Sequence, residues 1–85
     1  MYKVFYLDSA EKDLAALDKP IRKRILDKID EILTRDPKGL GKPLTGPFKG
    51  MWRYRVGDFR VIYRISEEEI LILVAKVGHR KNIYE

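Results

Sequence analysis

The sequence predicts an α+β fold in two layers, a helical hairpin packed on one face of an antiparallel β-sheet, in the order β-α-α-β-β-β. Three observations lead there. An alternating run of aromatic and β-branched residues opens the chain. Two amphipathic helical patterns follow with a short joint between them. Three strand patterns, separated by short polar turns, then fill the C-terminal half. At 85 residues the chain is read as one domain, residues 1–85, with a single thin core.

The elements follow in order. Residues 2–7 alternate and form a first strand. Asp8 or Ser9 caps a short helix, with Glu11 placed to complete a capping box on Asp8. Ala10, Leu14 and Leu17 give that helix one buried stripe. Asp18-Lys19-Pro20 breaks it and starts the next, because proline is tolerated in a first helical turn. Ile21, Ile25, Ile29, Ile32 and Leu33 line one face of this second helix. The segment 36–50, DPKGLGKPLTGPFKG, has no periodicity and is expected to cross from helices to sheet as a loop, pinned by Leu40, Leu44 and Phe48. Strands are expected at 51–56, 59–65 and 70–77, joined by Gly57-Asp58 and by residues 66–69 into an antiparallel meander. The first strand completes a four-stranded sheet beside the last.

Pleat geometry then sorts the charges. Side chains alternate between faces along a strand. In MWRYRV, Arg53 and Arg55 share one face while Trp52, Tyr54 and Val56 take the other. In FRVIYRI, Arg60, Ile62 and Arg64 oppose Phe59, Val61, Tyr63 and Ile65. The apolar set belongs against the helices, so the arginines stand together on the open face. Counting by twos from Lys76 puts Gly78 and Arg80 on the face opposite Val77 and His79. Arg80 thus extends the cluster, and His79 turns away from it unless the strand bends at Gly78.

The net charge of +5 has the same address. Residues 1–37 hold eight Lys/Arg and eight Asp/Glu, whereas residues 38–85 hold ten against five. Like charges gathered on neighbouring strands repel, so the face calls for a compensating anion. Arginine rather than lysine favours phosphate, because the planar guanidinium matches phosphate oxygens bidentately. The competing account is a solvated sheet face with scattered ion pairs. Other chemistries are excluded: there is no cysteine for thiolate or disulfide chemistry, and one histidine cannot build a multi-histidine zinc site. No cofactor or metal is expected. The N-terminus has no apolar run suited to a signal peptide or membrane span, so a cytoplasmic protein with no membrane partner is expected.

The run MWRYRVGDFRVIYRI, an aliphatic strand, and then VGHRKNIYE resembles the RelE branch of the RelE/ParE toxin superfamily, as does the upstream strand, helix pair and LTGPFKG loop. The resemblance spans essentially the whole chain. It implies a microbial-RNase-like fold and a ribosome-dependent endoribonuclease that cuts mRNA and so inhibits translation. It also implies a cognate antitoxin that blocks the toxin and forms a hetero-oligomer with it. Carried onto this sequence, the paired basic positions fall on Arg53 and Arg55, where RelE-type enzymes often have lysines. The arginine of the next strand falls on Arg60, the terminal arginine on Arg80 and the tyrosine on Tyr84.

RNA is cleaved without metal when its own 2′-hydroxyl attacks the adjacent phosphate. The protein must then supply geometry, positive charge and proton transfer. Arg60 and Arg80 are assigned to the scissile phosphate, with Arg53 and Arg55 orienting the backbone or sharing that duty. Arginine stays protonated, so the base is left between His79, which titrates near neutrality, and Tyr84, which would need surrounding cations to lower its pKa. Two further readings stand beside this one: a ParE-like inhibitor of DNA gyrase on the same fold, and an RNA-binding module that leaves its ligand intact.

Overall fold

The computed structural model describes residues 1–81. The chain runs β1 (Lys3–Tyr6), α1 (Asp8–Ala15), α2 (Lys19–Glu31), a 3-10 turn (Leu33–Arg35), α3 (Pro37–Leu40), β2 (Lys42–Pro43), a second 3-10 turn (Gly46–Phe48), β3 (Trp52–Val56), β4 (Phe59–Ser66) and β5 (Leu71–His79). The two-layer α+β expectation holds: α1 and α2 cover one face of the sheet. Among the described residues no helix is long and apolar enough to cross a membrane.

The sheet has five strands in the order β1-β5-β4-β3-β2. As expected, β1 lies beside β5, but it runs parallel to it, with Val4 opposite Ile72 and Tyr6 opposite Val74. A parallel pair needs a long crossover, and the helical hairpin with the strands after it provides one. The fifth strand is β2, which pairs Lys42 with Arg53 and Pro43 with Trp52 inside the segment expected to be a plain loop. Gly57, at φ +57, opens the tight turn between β3 and β4, a conformation that suits glycine.

The core lies between helices and sheet. Ala10 and Leu14 from α1, Ile25 and Ile29 from α2, and Leu33 meet Val56, Val61, Tyr63, Ile72, Val74 and Val77 from the strands. These are the stripes and alternations that the periodicity predicts.

Two local expectations fail for identifiable reasons. The capping box at Asp8 is not formed: Leu7 is the cap residue, with no side-chain capping bond. The Ser9 hydroxyl instead donates to the Ala75 carbonyl at 2.7 Å. Leu40 does not pin the crossing segment but is 45% exposed. That anchoring falls to Tyr63, whose hydroxyl crosses the core and donates to the Pro37 carbonyl at 2.7 Å. Gly41 packs directly against the same hydroxyl, where any side chain would collide. Asp36 closes the segment at its start by accepting from the Gly39 amide at 3.0 Å. Leu44 and Phe48 are half-buried.

Candidate active site

The face turned away from the helices carries the arginines in registered rows. In one row Arg55 on β3 stands opposite Arg60 on β4, and Arg60 stands opposite Gly78 on β5. In the next row Lys42, Arg53, Ile62 and Lys76 lie side by side across four strands. Arg64, beyond, is opposite Leu73, and its guanidinium lies over Gly50. Ile62 is fully buried although it faces away from the helices and is no part of the helix-side core. It sits in its row between Arg53 and Lys76, side chains with long apolar stems suited to covering it.

Arg60 is the best sheltered of these cations, at 7% exposure, on the central strand β4 with Gly78 beside it. Its guanidinium donates to the Phe59 carbonyl at 3.4 Å. Arg55 is exposed and Arg53 half-buried. Arg80 follows the end of β5, where its amide donates to the Asp58 carbonyl at 2.8 Å. Its guanidinium reaches only to 4.0 Å from the Asp58 carboxylate, and both side chains are more than half exposed. Such a pair holds the arginine weakly and leaves it open to a stronger anion. The ion pairs found among the described residues are this one, Lys23–Asp27 and Lys38–Glu67, none of which involves Lys42, Arg53, Arg55, Arg64 or Lys76.

The placement of β5 residues depends on a bulge. Ile62 pairs with Lys76 but Tyr63 pairs with Val74, so Ala75 is an extra residue in the ladder. In an unbroken strand Lys76 would share the core face with Ile72 and Val74. The extra residue reverses the alternation and turns Lys76 and Gly78 to the arginine side. Helix α1 holds the bulge from below. Ser9 donates to the Ala75 carbonyl at 2.7 Å, and one helical turn later the Asp13 carboxylate accepts from the Val77 amide at 3.0 Å.

His79 is not brought to the arginines. It is paired with Phe59, and the two rings meet edge to face at 5.6 Å and 83°. Phe59 packs on the helix-side core, so His79 stands on that side of the sheet. Its Nδ1 accepts from the Lys81 amide at 3.3 Å. Tyr84 lies outside the described residues. The structure therefore joins Arg53, Arg55 and Arg60 on one face with Arg80 at its end. It adds Lys42, which the sequence reading left out because a lysine directly preceding a proline in an aperiodic segment carries no strand signal, and it keeps Lys76 on the face to which alternation with Val77 assigns it.

Comparison with known proteins agrees with this architecture. Residues 4–84 match the family of the ParE toxin of the type II toxin-antitoxin system, parDE. Toxin RelG of Mycobacterium tuberculosis is 32% identical over 83 residues, which cover 98% of this chain and 95% of that protein. Toxin RelE of the same organism is 29% identical, with 98% and 86% covered. The crystal structure of the toxin-antitoxin complex RelBE2 from M. tuberculosis contains a chain that superposes with a TM-score of 0.89 at 32% identity, covering 93% of this chain and 98% of that one. Sequence and fold agree along nearly the whole length, and the chain belongs to the RelE/ParE superfamily of type II toxin-antitoxin toxins.

Proposed function

We propose that this toxin is a ribosome-dependent mRNA endoribonuclease. The observation that carries the reading is the row Arg55–Arg60–Gly78 with Arg80 at its end, which sets three arginines at one end of a single sheet face, Arg80 held there only by a weak, exposed pair with Asp58. The RNA 2′-hydroxyl loses its proton and attacks the adjacent phosphorus. The bond to the 5′-oxygen then breaks, leaving a 2′,3′-cyclic phosphate and a 5′-hydroxyl. Arg60 and Arg80 stabilise the charge that builds on the non-bridging oxygens, and Arg53 and Arg55 orient the chain leading away from it. Preorganised donors of this kind are commonly worth on the order of 3 kcal/mol each in the transition state.

Proton transfer belongs to Tyr84 in this reading, because His79 faces the opposite side of the sheet. His79 and Phe59 then serve to brace the strand end from which Arg80 departs. A cognate antitoxin is the expected protein partner, in a hetero-oligomer, and the ribosome with its mRNA is the expected target in the cytoplasm. The relatives named RelG and RelE support this branch.

The ParE name of the matching family keeps gyrase inhibition as a second reading. The two are separated by assaying mRNA cleavage during translation in parallel with DNA supercoiling by gyrase. Cleavage with unaffected supercoiling is expected; inhibited supercoiling with intact mRNA would contradict the proposal.

A further inference from the structure

We propose that the hollow lined by Leu40, Lys42, Arg53 and Arg55 is a nucleotide subsite next to the scissile position, in which Lys42 and Arg53 hold a neighbouring backbone phosphate and Leu40 seats the attached base. This rests on the reading of the arginine face as an RNA-cleaving surface and assigns the part of the substrate that lies beyond the reacting bond.

Four observations carry it. The hollow has a volume of about 190 Å³. That is below the ~300–1,000 Å³ of sites for drug-sized ligands, room for a phosphate and one edge of its base with the rest of the nucleotide left in solvent. Lys42 and Arg53 stand directly opposite each other on β2 and β3, a repulsive placement. Neither makes an ion pair among the described residues. A bound phosphate would offset that repulsion. Leu40 is a large apolar side chain left 45% exposed at the rim of a cationic hollow. An apolar surface beside phosphate-binding cations is what a base attached to that phosphate requires, and it accepts any base because it reads no hydrogen-bonding edge.

The fourth observation is rigidity. The backbone on both sides of Leu40 is fixed: Pro37 by Tyr63, Gly39 by Asp36, Gly41 by its packing under the Tyr63 hydroxyl, and Leu44 by the Met51 carbonyl at 2.9 Å. Leu40 is thus presented at a set position, and little ordering remains to be done when RNA binds. Arg55 borders both the hollow and the Arg55–Arg60 row. Arg53 and Arg55 are two residues apart on one strand, about 7 Å, of the order of the separation of successive phosphates in an extended RNA chain. One strand of the sheet can therefore serve two consecutive phosphates.

The test is an amide-shift titration of the full-length, isotope-labelled protein with a trinucleotide methylated on every 2′-oxygen, which blocks attack. Shifts at Leu40, Gly41, Lys42 and Arg53 are expected. Lys42→Ala should weaken binding roughly ten-fold, through loss of one charge-assisted contact, and Lys42→Arg should restore it. A trinucleotide lacking its middle base should bind the native protein about three-fold more weakly, from lost apolar contact, and Leu40→Ser should abolish that difference. Leu40 and Lys42 are exposed, so the spectrum of each variant reports directly that it is folded. Shifts confined to Arg60, Gly78 and Arg80, or equal binding of the intact and abasic trinucleotides, would overturn the subsite while leaving cleavage by the arginine row standing. The expected shifts in a protein that leaves ribosomal mRNA intact would support the subsite and overturn the cleavage reading instead.

Discussion

The Asp13 carboxylate accepts a hydrogen bond from the Val77 amide at 3.0 Å, so a helix on one side of the sheet fixes which way the last strand faces on the other. With Ser9 on the Ala75 carbonyl, it holds the extra residue that turns Gly78 toward Arg60. Asp13→Ala leaves the Val77 amide without its acceptor and should cost about 1–3 kcal/mol. Cleavage by the fraction that remains folded should fall as well, because Gly78 and the start of the Arg80 turn lose their register. Asp13→Asn keeps a carbonyl acceptor and should recover both. Urea unfolding alongside cleavage rates measures the two effects, and activity that merely follows the folded fraction would show that Asp13 has no part in positioning the site.

Arg55 and Arg60 face each other directly across β3 and β4. Arg55→Thr removes that repulsion and installs a good strand former, so thermal stability should rise by about 0.5 kcal/mol. RNA affinity should fall, and the slope of log K against log salt should shrink by about 0.7 for one lost phosphate contact on a single strand. An unchanged salt slope would remove Arg55 from the RNA surface.

Tyr63 and Gly41 form a coupled pair beneath the crossing segment. Tyr63→Phe strands the buried Pro37 carbonyl, at a cost of about 1–3 kcal/mol. Gly41→Ala drives a methyl group into the Tyr63 hydroxyl and should cost a similar amount. In the double variant the collision is relieved, so the combined loss should be smaller than the two added together. Strictly additive losses in chemical denaturation would contradict the packing described.

Alkaline pH should unfold the protein. Burial raises the pKa of Tyr63 and of Tyr6, whose hydroxyl has no hydrogen-bond partner among the described residues. Both stay protonated in the fold beyond the ordinary tyrosine value of about 10. Their contribution is therefore complete below about pH 10 and is lost as pH rises toward their folded-state values. Melting temperature should be level with respect to these groups up to that point and fall above it. Tyrosinate absorbance should show a late component that appears together with unfolding; full tyrosine ionisation in a still-folded protein would contradict this.

Much of this was legible in the sequence because strand alternation is a strong signal. WRYRV and FRVIYRI each separate cations from apolar residues without ambiguity, and Arg53, Arg55 and Arg60 fell on one face as read. The helical stripes through Leu14, Ile25 and Ile29 were equally plain. What stayed hidden depended on contacts distant along the chain. The two-residue β2 exists because Arg53 and Trp52 offer it an edge, and nothing in Lys42-Pro43 announces that. The bulge at Ala75 is set by Ser9 and Asp13, more than sixty residues earlier. The same Ser9 bond shows why local capping logic misread the start of α1: its hydroxyl had a partner across the domain. His79 was a candidate base on its titration range; alternation already turned it away from Arg80, and the register with Phe59 shows that no bend at Gly78 brings it round.

The most direct test of the central claim is primer extension on an mRNA translated with the native toxin, Arg60→Ala or Arg80→Ala. Native protein should leave discrete ribosome-dependent cuts, and each substitution should lower the cutting rate about 100-fold or more, the scale of losing one preorganised donor to the transition-state charge. Near-native cutting by both variants, each shown to be folded, would contradict the assignment of this arginine face as the cleavage site.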